Sequence, residues 1–355
     1  MSTRMCPTAV LLLCAALTTA CTGTGTSTAT ARGTSGAHLV ERARASMGSE
    51  LQLTAWAADE AGAVAAFDRV FQEFDRLESL MSVWREGSDI LRLNVAAGEH
   101  AVPVSPEVRE ALTIAHQVSE WTCGTFDVTF GVLSGLWKFD YQDKDNTVPD
   151  RSEVHKRLPL INYRDLEVDD HAGTAFLKRK GMRVNLGGIG KGYAVARAVD
   201  ILRRRGFRDF MIQAGGDMYV AGRRGERLWR LGIRDPRGPA DKSFAALDLS
   251  DGTFSTSGDY ERFFMKNGRR YHHILDLSVG EPAQGCRSVT LVTDRAVIAD
   301  ALAKGVFILG PDAGMALIER LPNVEGVIVS SKNEVHISSG LKNRLVVLAV
   351  PTDAP

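Results

Sequence analysis

Residues 184–195 read VNLGGIGKGYAV, with four glycines and one lysine set between two apolar runs. A strand that ends in a glycine turn and opens a helix leaves free backbone N–H groups at the helix start. The helix dipole adds positive potential there, so the site suits an anion, above all a phosphate. Lys191 would add a compact point charge. The same residues would serve equally as a tight strand–helix turn with Lys191 in solvent. Two standard nucleotide loops are excluded. A Walker A loop needs Ser or Thr after its lysine, and here Gly192 follows Lys191, while Asn185 replaces the first glycine. A dinucleotide fingerprint needs GxGxxG, and Gly188, Gly190 and Gly192 give GxGxG.

Other stretches carry polar groups that a core would not require. They are LMSVWREGSDILRLN (80–94), GTFDVTFGVL (124–133), STSGDYERFF (255–264), YHHILDLSVGEP (271–282) and SVTLVTDRAVIADALAKGVFILG (288–310). A histidine such as His273 suits proton transfer near neutral pH, although a strand histidine bonded within its sheet would look the same. His272 beside it points to the opposite face of a strand, so the two cannot share one role. Asp300 and Lys304 stand four apart on a predicted helix, where an ion pair is in reach.

The elements that must position these groups are legible from periodicity. Residues 51–57 alternate like a half-buried strand, and 59–81 repeat apolar residues at helical spacing. Ser105 and Pro106 form a cap and first-turn pair for a helix that runs through SPEVREALTIAHQVSEW. Residues 137–159 read as a loop or insertion, and 174–186 as a hairpin around Lys180 and Gly181. A helix is expected over 191–205, with Val195, Ala198, Val199 and Leu202 on one face. Two strands are expected around Gly215 and Gly216. Further strands are placed at 229–233, 244–249, 272–277, 288–292, 324–330 and 344–348, and helices at 295–309 and 313–321. Hairpins outnumber βαβ units, so the fold class is α+β with a mostly antiparallel sheet.

The chain has 355 residues, 43 basic and 43 acidic side chains and zero net charge. No basic excess points to nucleic acid, and any anion site must be local. The first 20 residues read as a signal peptide: MSTRM supplies a positive charge, 9–17 a short apolar core, and small residues run into Cys21. That is the pattern of a lipoprotein signal, with Cys21 the lipidated first residue; simple cleavage and a free secreted protein is the other reading. Residues 21–37 are small and polar and read as a tether, and 38–355 as the domain. Of five cysteines, Cys6 and Cys14 leave with the signal, and Cys123 and Cys286 remain as a pair that oxidation could join.

Taken together, the stretches quoted above, with MGSELQLTAW near residue 47, GGD at 215–217 and the ADAL helix, resemble the ApbE family, the FAD:protein FMN transferases. The resemblance covers nearly the whole chain after the tether. It implies an α+β enzyme with mostly antiparallel sheets and packed helices, two lobes around a cleft for FAD. It also implies a lipid anchor at the bacterial inner membrane, facing the periplasm. By position, Met47, Trp84, Thr125, Phe126, Asp127, Asn185, Gly188, Lys191, His273 and Ile274 match residues at the flavin nucleotide. His273 is the expected proton acceptor, Lys191 the expected phosphate cation, and Asp259 a carboxylate that orients the site. The family metal, usually magnesium, implies Asp300 and the Gly190 carbonyl as ligands. Lys304 stands where the family often has a threonine ligand, and Asn185 where it usually has aspartate. Either a metal binds more weakly here, or Lys304 supplies its charge.

The implied reaction moves FMN from FAD to a threonine of another protein, a redox subunit in the same compartment, with release of AMP. An FAD pyrophosphatase that uses water, and a flavin-binding protein without turnover, are the alternatives.

Overall fold

The structure, a computed structural model, describes residues 36–139 and 146–354; the signal peptide and nearly all of the tether lie outside these residues. The chain enters on β1 (His38–Ser46), turns at Met47 and Gly48, and returns on β2 (Ser49–Ala57). Helix α1 (Glu60–Met81) is capped by Asp59, whose carboxylate accepts the Gly62 N–H at 2.9 Å. Its apolar stripe buries Phe67, Val70, Phe74 and Leu77. Ser88 caps α2 (Asp89–Val95); after β3 (Val102–Pro103), Ser105 caps α3 (Pro106–Trp121), with Pro106 in its first turn. Next come α4 (Arg151–Arg157), β4 (Leu166–Asp169), β5 (Thr174–Leu177) and α5 (Gly190–Arg204).

The chain then runs through β6 (Phe210–Ala214), β7 (Asp217–Ala221), β8 (Trp229–Arg234), β9 (Ser243–Leu249) and β10 (Gly252–Gly258). Four short strands make an excursion: β11 (Phe263–Lys266), β12 (Arg269–His272), β13 (Leu275–Asp276) and β14 (Glu281–Pro282). The remainder is β15 (Cys286–Thr293), α6 (Ala296–Leu309), α7 (Pro311–Arg320), β16 (Glu325–Ser330), β17 (Val335–Ile337) and β18 (Val346–Val347).

One eight-stranded sheet, in the order β1-β2-β6-β7-β10-β15-β16-β17, organises the fold, and its neighbours pair antiparallel throughout. Strand alternation sends each face into a different core. Tyr219, Ala221, Leu291 and Ile328 face α1, α5 and α6 in the larger core. Val220, Val292, Val327 and Val329 face the small sheet β18-β9-β8, with Trp229, Leu231 and Phe244, in the second. Helices on one face of an antiparallel sheet give the α+β class. A three-stranded sheet, β3-β5-β4, packs with α2 and α3 beside this body.

Three expectations change. The hairpin at Lys180 and Gly181 does not form: β5 pairs with β4 and β3 instead, and the chain after Gly181 runs to α5 without a second strand. The segment 137–159 contains α4, started by Asp150, which caps Ser152 at 2.7 Å. The strand expected over 272–277 is broken at His273, between β12 and β13. No disulfide joins Cys123 to Cys286, which is buried. Among the described residues no helix is long and apolar enough to cross a membrane.

Candidate active site

The site forms at one end of the large sheet. The β1–β2 and β6–β7 turns and the ends of β10 and β15 meet there, because antiparallel register brings Leu51 beside Ala214, Asp217 beside Ser255 and Gly258 beside Ser288. The glycine stretch is led to this end by Asn94. Its amide brackets Val184, accepting from the Val184 N–H at 2.6 Å and donating to its carbonyl at 2.9 Å, as a strand partner would. The Asn185 N–H then donates to Val128. Helix α5 starts after Ile189, which offers no side-chain cap; the Gly190 N–H donates to the Leu186 carbonyl and the Gly192 N–H to Asp300, and the positive end of the helix dipole lies at this turn.

Two carboxylates and two ammonium groups sit under this turn. Lys191 Nζ donates to Asp217 Oδ2, and Ser255 Oγ donates to Asp217 Oδ1. Asp300 is fully buried on α6; its Oδ2 accepts the Gly192 N–H at 2.7 Å and its Oδ1 the Lys304 ammonium. Burial alone would discourage the Lys191 charge, but Asp217 and Asp300 outweigh it and hold its pKa above that of an ordinary lysine. Burial likewise works against the Asp217 carboxylate, but Lys191 and Lys304 outweigh it and keep its pKa low. Both groups are charged at neutral pH. Gly192 has to be glycine, because a Cβ there would stand 2.5 Å from both the Ala296 carbonyl oxygen and the Asp300 Cβ. The α5–α6 crossing is that close.

The rim carries the groups that would meet a reactant. Met47 lies over Gly190, its Cε 3.7 Å from where a Cβ would be. Arg262 donates to the Gly48 carbonyl at 2.7 Å and so ties the β11 approach to the Met47 turn. His273 stands just past β12, with Nδ1 3.3 Å from the Arg262 carbonyl. Donation of Nδ1–H to that oxygen leaves Nε2 as the ring nitrogen with the lone pair. Burial, then the neighbouring His272, Lys304 and Arg262, push the His273 pKa down to about 3, so the imidazole is neutral. His272 serves the opposite face, as its strand position requires. It is buried, with Nε2 2.8 Å from the Ala283 carbonyl and Nδ1 accepting from the Ile274 N–H.

The structure thus brings Met47, Gly188, Gly190, Lys191, His273, Asp300 and Lys304 together. Thr125 joins through α6, donating to the Gly305 carbonyl at 3.1 Å, and the Phe126 ring edge lies 3.2 Å from the would-be Cβ of Gly188. Trp84 stands on the loop after Met81, which also borders Gly190, and is 82% exposed.

Four expected residues act as framework. Both Asp259 oxygens are held by the Arg237 guanidinium at 2.7 Å, a bidentate pair that makes Asp259 an anchor for the end of β10. Asp127 accepts from the Thr129 N–H and hydroxyl and from the Tyr163 N–H, so its carboxylate shapes the loop. Burial pushes its pKa up, only partly offset by those donors. Asn185 spends its amide on the Gly187 N–H and the Ser134 hydroxyl. The Ile274 side chain is in the core.

Sequence reasoning passed over Asp217, Ser255 and Arg262 as site residues. A signal existed for Ser255. Thr253, Ser255 and Ser257 place hydroxyls on the helix-facing side of a central strand, all buried, where a core would have apolar residues.

The magnesium expectation is tested by the donor set. Asp300 already accepts a backbone N–H and an ammonium, and Lys304 also donates to the Asp300 carbonyl at 2.8 Å. Among the described residues no three His, Cys, Asp or Glu side chains gather as a cation cage. A hard divalent cation needs several oxygen ligands, and each of the two buried carboxylates here, Asp217 and Asp300, is already in contact with an ammonium that repels it. The residues as they stand do not fit the metal.

Comparison with known proteins agrees with this fold. A family model described as the ApbE family matches residues 47–328. The FAD:protein FMN transferase of Klebsiella pneumoniae (strain 342) is 31% identical over 294 residues, covering 82% of this chain and 90% of that protein. The protein of the same name from Treponema pallidum (strain Nichols) is 31% identical over 301 residues, covering 80% of this chain and 82% of its own. The crystal structure of the ApbE protein from Thermotoga maritima superposes with a TM-score of 0.79 at 29% identity, covering 89% of this chain and all of that one. The chain belongs to the ApbE family.

Proposed function

We propose that this chain is an FAD:protein FMN transferase, the name its relatives carry. The observation that carries the reading is the pairing of the α5 N-terminus and its half-buried Lys191 with a neutral histidine on the same rim. The first two suit a diphosphate, and the third suits an attacking hydroxyl.

In the proposed step a threonine hydroxyl of the acceptor protein attacks the phosphorus on the flavin side of FAD. The new bond is P–Oγ. The bond from that phosphorus to the bridging oxygen breaks, and AMP leaves with that oxygen. The hydroxyl proton goes to His273 Nε2. Phosphoryl transfer asks mainly for positioning and for neutralised charge, which Lys191, Arg262 and the α5 N-terminus supply. A free His273 with so low a pKa is a weak base, but an adjacent diphosphate raises it, so basicity arrives with the substrate. No metal ion enters this step, because the donor set does not fit one.

The same proposal puts the domain outside the cytoplasm, tethered by lipid on Cys21, with a redox subunit of that compartment as acceptor. Incubation with FAD and a threonine-bearing acceptor, followed by denaturing electrophoresis, should give in-gel flavin fluorescence on the acceptor and AMP in equal amount. AMP with free FMN and no labelled protein would mark a pyrophosphatase, and FAD bound without AMP a carrier. Labelling with a fatty acid that fails in wild type, or persists in Cys21→Ser, would remove the anchor.

A further inference from the structure

Lys304 is placed too deliberately for a surface lysine. Its ammonium is shared between the Asp300 carboxylate and the Asp300 carbonyl, and its side chain is 16% exposed. Its stem runs beneath the glycine turn: a Cβ on Gly188 would meet Lys304 Cδ at 3.3 Å and Phe126 Cε2 at 3.2 Å. Gly188 is thus the residue that lets the stem and the Phe126 ring pass. The next residue, Gly305, is equally constrained, since a Cβ there would lie 2.4 Å from Thr122 Cγ2. The helix is therefore held close against Thr122 directly after the lysine. The charge is also central, because its field reaches both Asp217 and His273.

A buried carboxylate such as Asp300 needs a cation, and most of the choice lies between a bound ion and a side chain. We propose that the Lys304 ammonium is the resident cation of this site and takes the position a divalent metal would hold, so that FAD binding and cleavage here need no metal. The proposal rests on the reading of the site as an FAD site. It makes the cation part of the polypeptide: permanently present, independent of ion supply, and carried on a stem that runs beneath the glycine turn where the diphosphate would lie. The neighbouring Lys191 supplies the second charge from the Asp217 side.

The test uses the full chain, stripped with EDTA and desalted. FAD affinity is read from quenching of flavin fluorescence, and metal binding from the electron paramagnetic resonance signal of free manganese. In wild type, FAD affinity should change by less than about twofold between EDTA and millimolar magnesium, and manganese should stay free. Lys304→Thr exchanges the ammonium for an oxygen donor suited to a hard cation. It should bind FAD about 10-fold more weakly in EDTA, regain that affinity with magnesium, and hold one manganese per chain. A wild type that takes up stoichiometric manganese, or loses FAD affinity in EDTA, overturns the proposal. So does a folded Lys304→Thr that neither gains manganese nor weakens toward FAD. If Lys304→Thr fails to fold, the wild-type measurements decide alone. If no form binds FAD, the functional reading fails, while the manganese arm still decides what Asp300 holds.

Discussion

Two clusters of buried charge lie near the same end of the sheet, and they differ in their cations. Around the glycine turn the carboxylates Asp217 and Asp300 are met by lysines. Beyond the end of β10 the carboxylate Asp259 is met by Arg237. Asp235, fully buried, accepts from the Arg237 and Gly238 N–H groups and from the Thr352 N–H and hydroxyl, with the exposed Lys242 ammonium 3.5 Å off as a looser ion pair. Arg287 extends that cluster to Asn333, the Thr352 carbonyl and Asp353, so the chain's end is clasped against β15. An arginine fork matches a carboxylate with two parallel bonds and has no reason to let go. A lysine ammonium is a point charge with rotatable donors that can divide itself between a resident carboxylate and an arriving anion. The arginine cluster therefore holds shape, and the lysine cluster is poised for a ligand.

Substitutions can break or sharpen that contrast. The largest effect is expected at the rim of the lysine cluster. His273→Gln keeps a polar side chain but removes the proton acceptor, so kcat for flavin transfer should fall ~100- to 10,000-fold with little change in thermal stability. Equal loss of activity and stability would make His273 a framework residue instead. In the arginine cluster the sign reverses. Arg237→Ala leaves Asp259 buried without its partner, which should cost about 3–5 kcal/mol in denaturant unfolding. The folded fraction should still bind FAD, and FAD affinity lost in proportion to stability would erase the distinction drawn between the clusters.

Smaller than either is the effect of Gly192→Ala. Its new methyl group would press on the Ala296 carbonyl and Asp300, so about 1–3 kcal/mol of stability should go, with weaker FAD binding because Asp300 moves. Unchanged stability would mean that α6 can yield. The smallest effect is a flat line. The neutral imidazole is the active form and its pKa is about 3 in the free protein, against an ordinary value of 6.5. Activity is lost only as pH falls through the folded-state value, so kcat/KM should hold steady from pH 8 to about 5, where an ordinary histidine would already be protonated. With FAD bound the diphosphate raises that pKa, so the kcat profile should bend at higher pH than kcat/KM. A kcat/KM that halves near 6.5 would contradict the electrostatics of this rim.

Much of this was legible in the sequence because its signals are local. Ser105 and Pro106 announce α3, the Gly215 and Gly216 turn announces its hairpin, and the i, i+4 spacing of Asp300 and Lys304 foretells their pair. The hairpin at Lys180 and Gly181 was misread because a glycine turn fixes chain reversal but not the strand's partner; tertiary pairing gave β5 to β4 and β3. Asp259 and Asp217 show the limit at the site. Both are aspartates at strand ends in glycine-containing motifs, and sequence alone favoured the one that anchors. Which carboxylate meets a guanidinium and which an ammonium depends on Arg237 and Lys191, each more than 20 positions away in the chain.

The central claim is that the lysine cluster holds the diphosphate of FAD. The most direct measurement compares FAD and riboflavin affinities in wild type and in Lys191→Met, made together with Asp217→Asn so that no buried carboxylate is left alone. Loss of a charge-assisted contact to phosphate should weaken FAD about 10- to 100-fold and leave riboflavin, which has no phosphate, within about twofold. FAD binding of equal strength in both proteins would contradict the account.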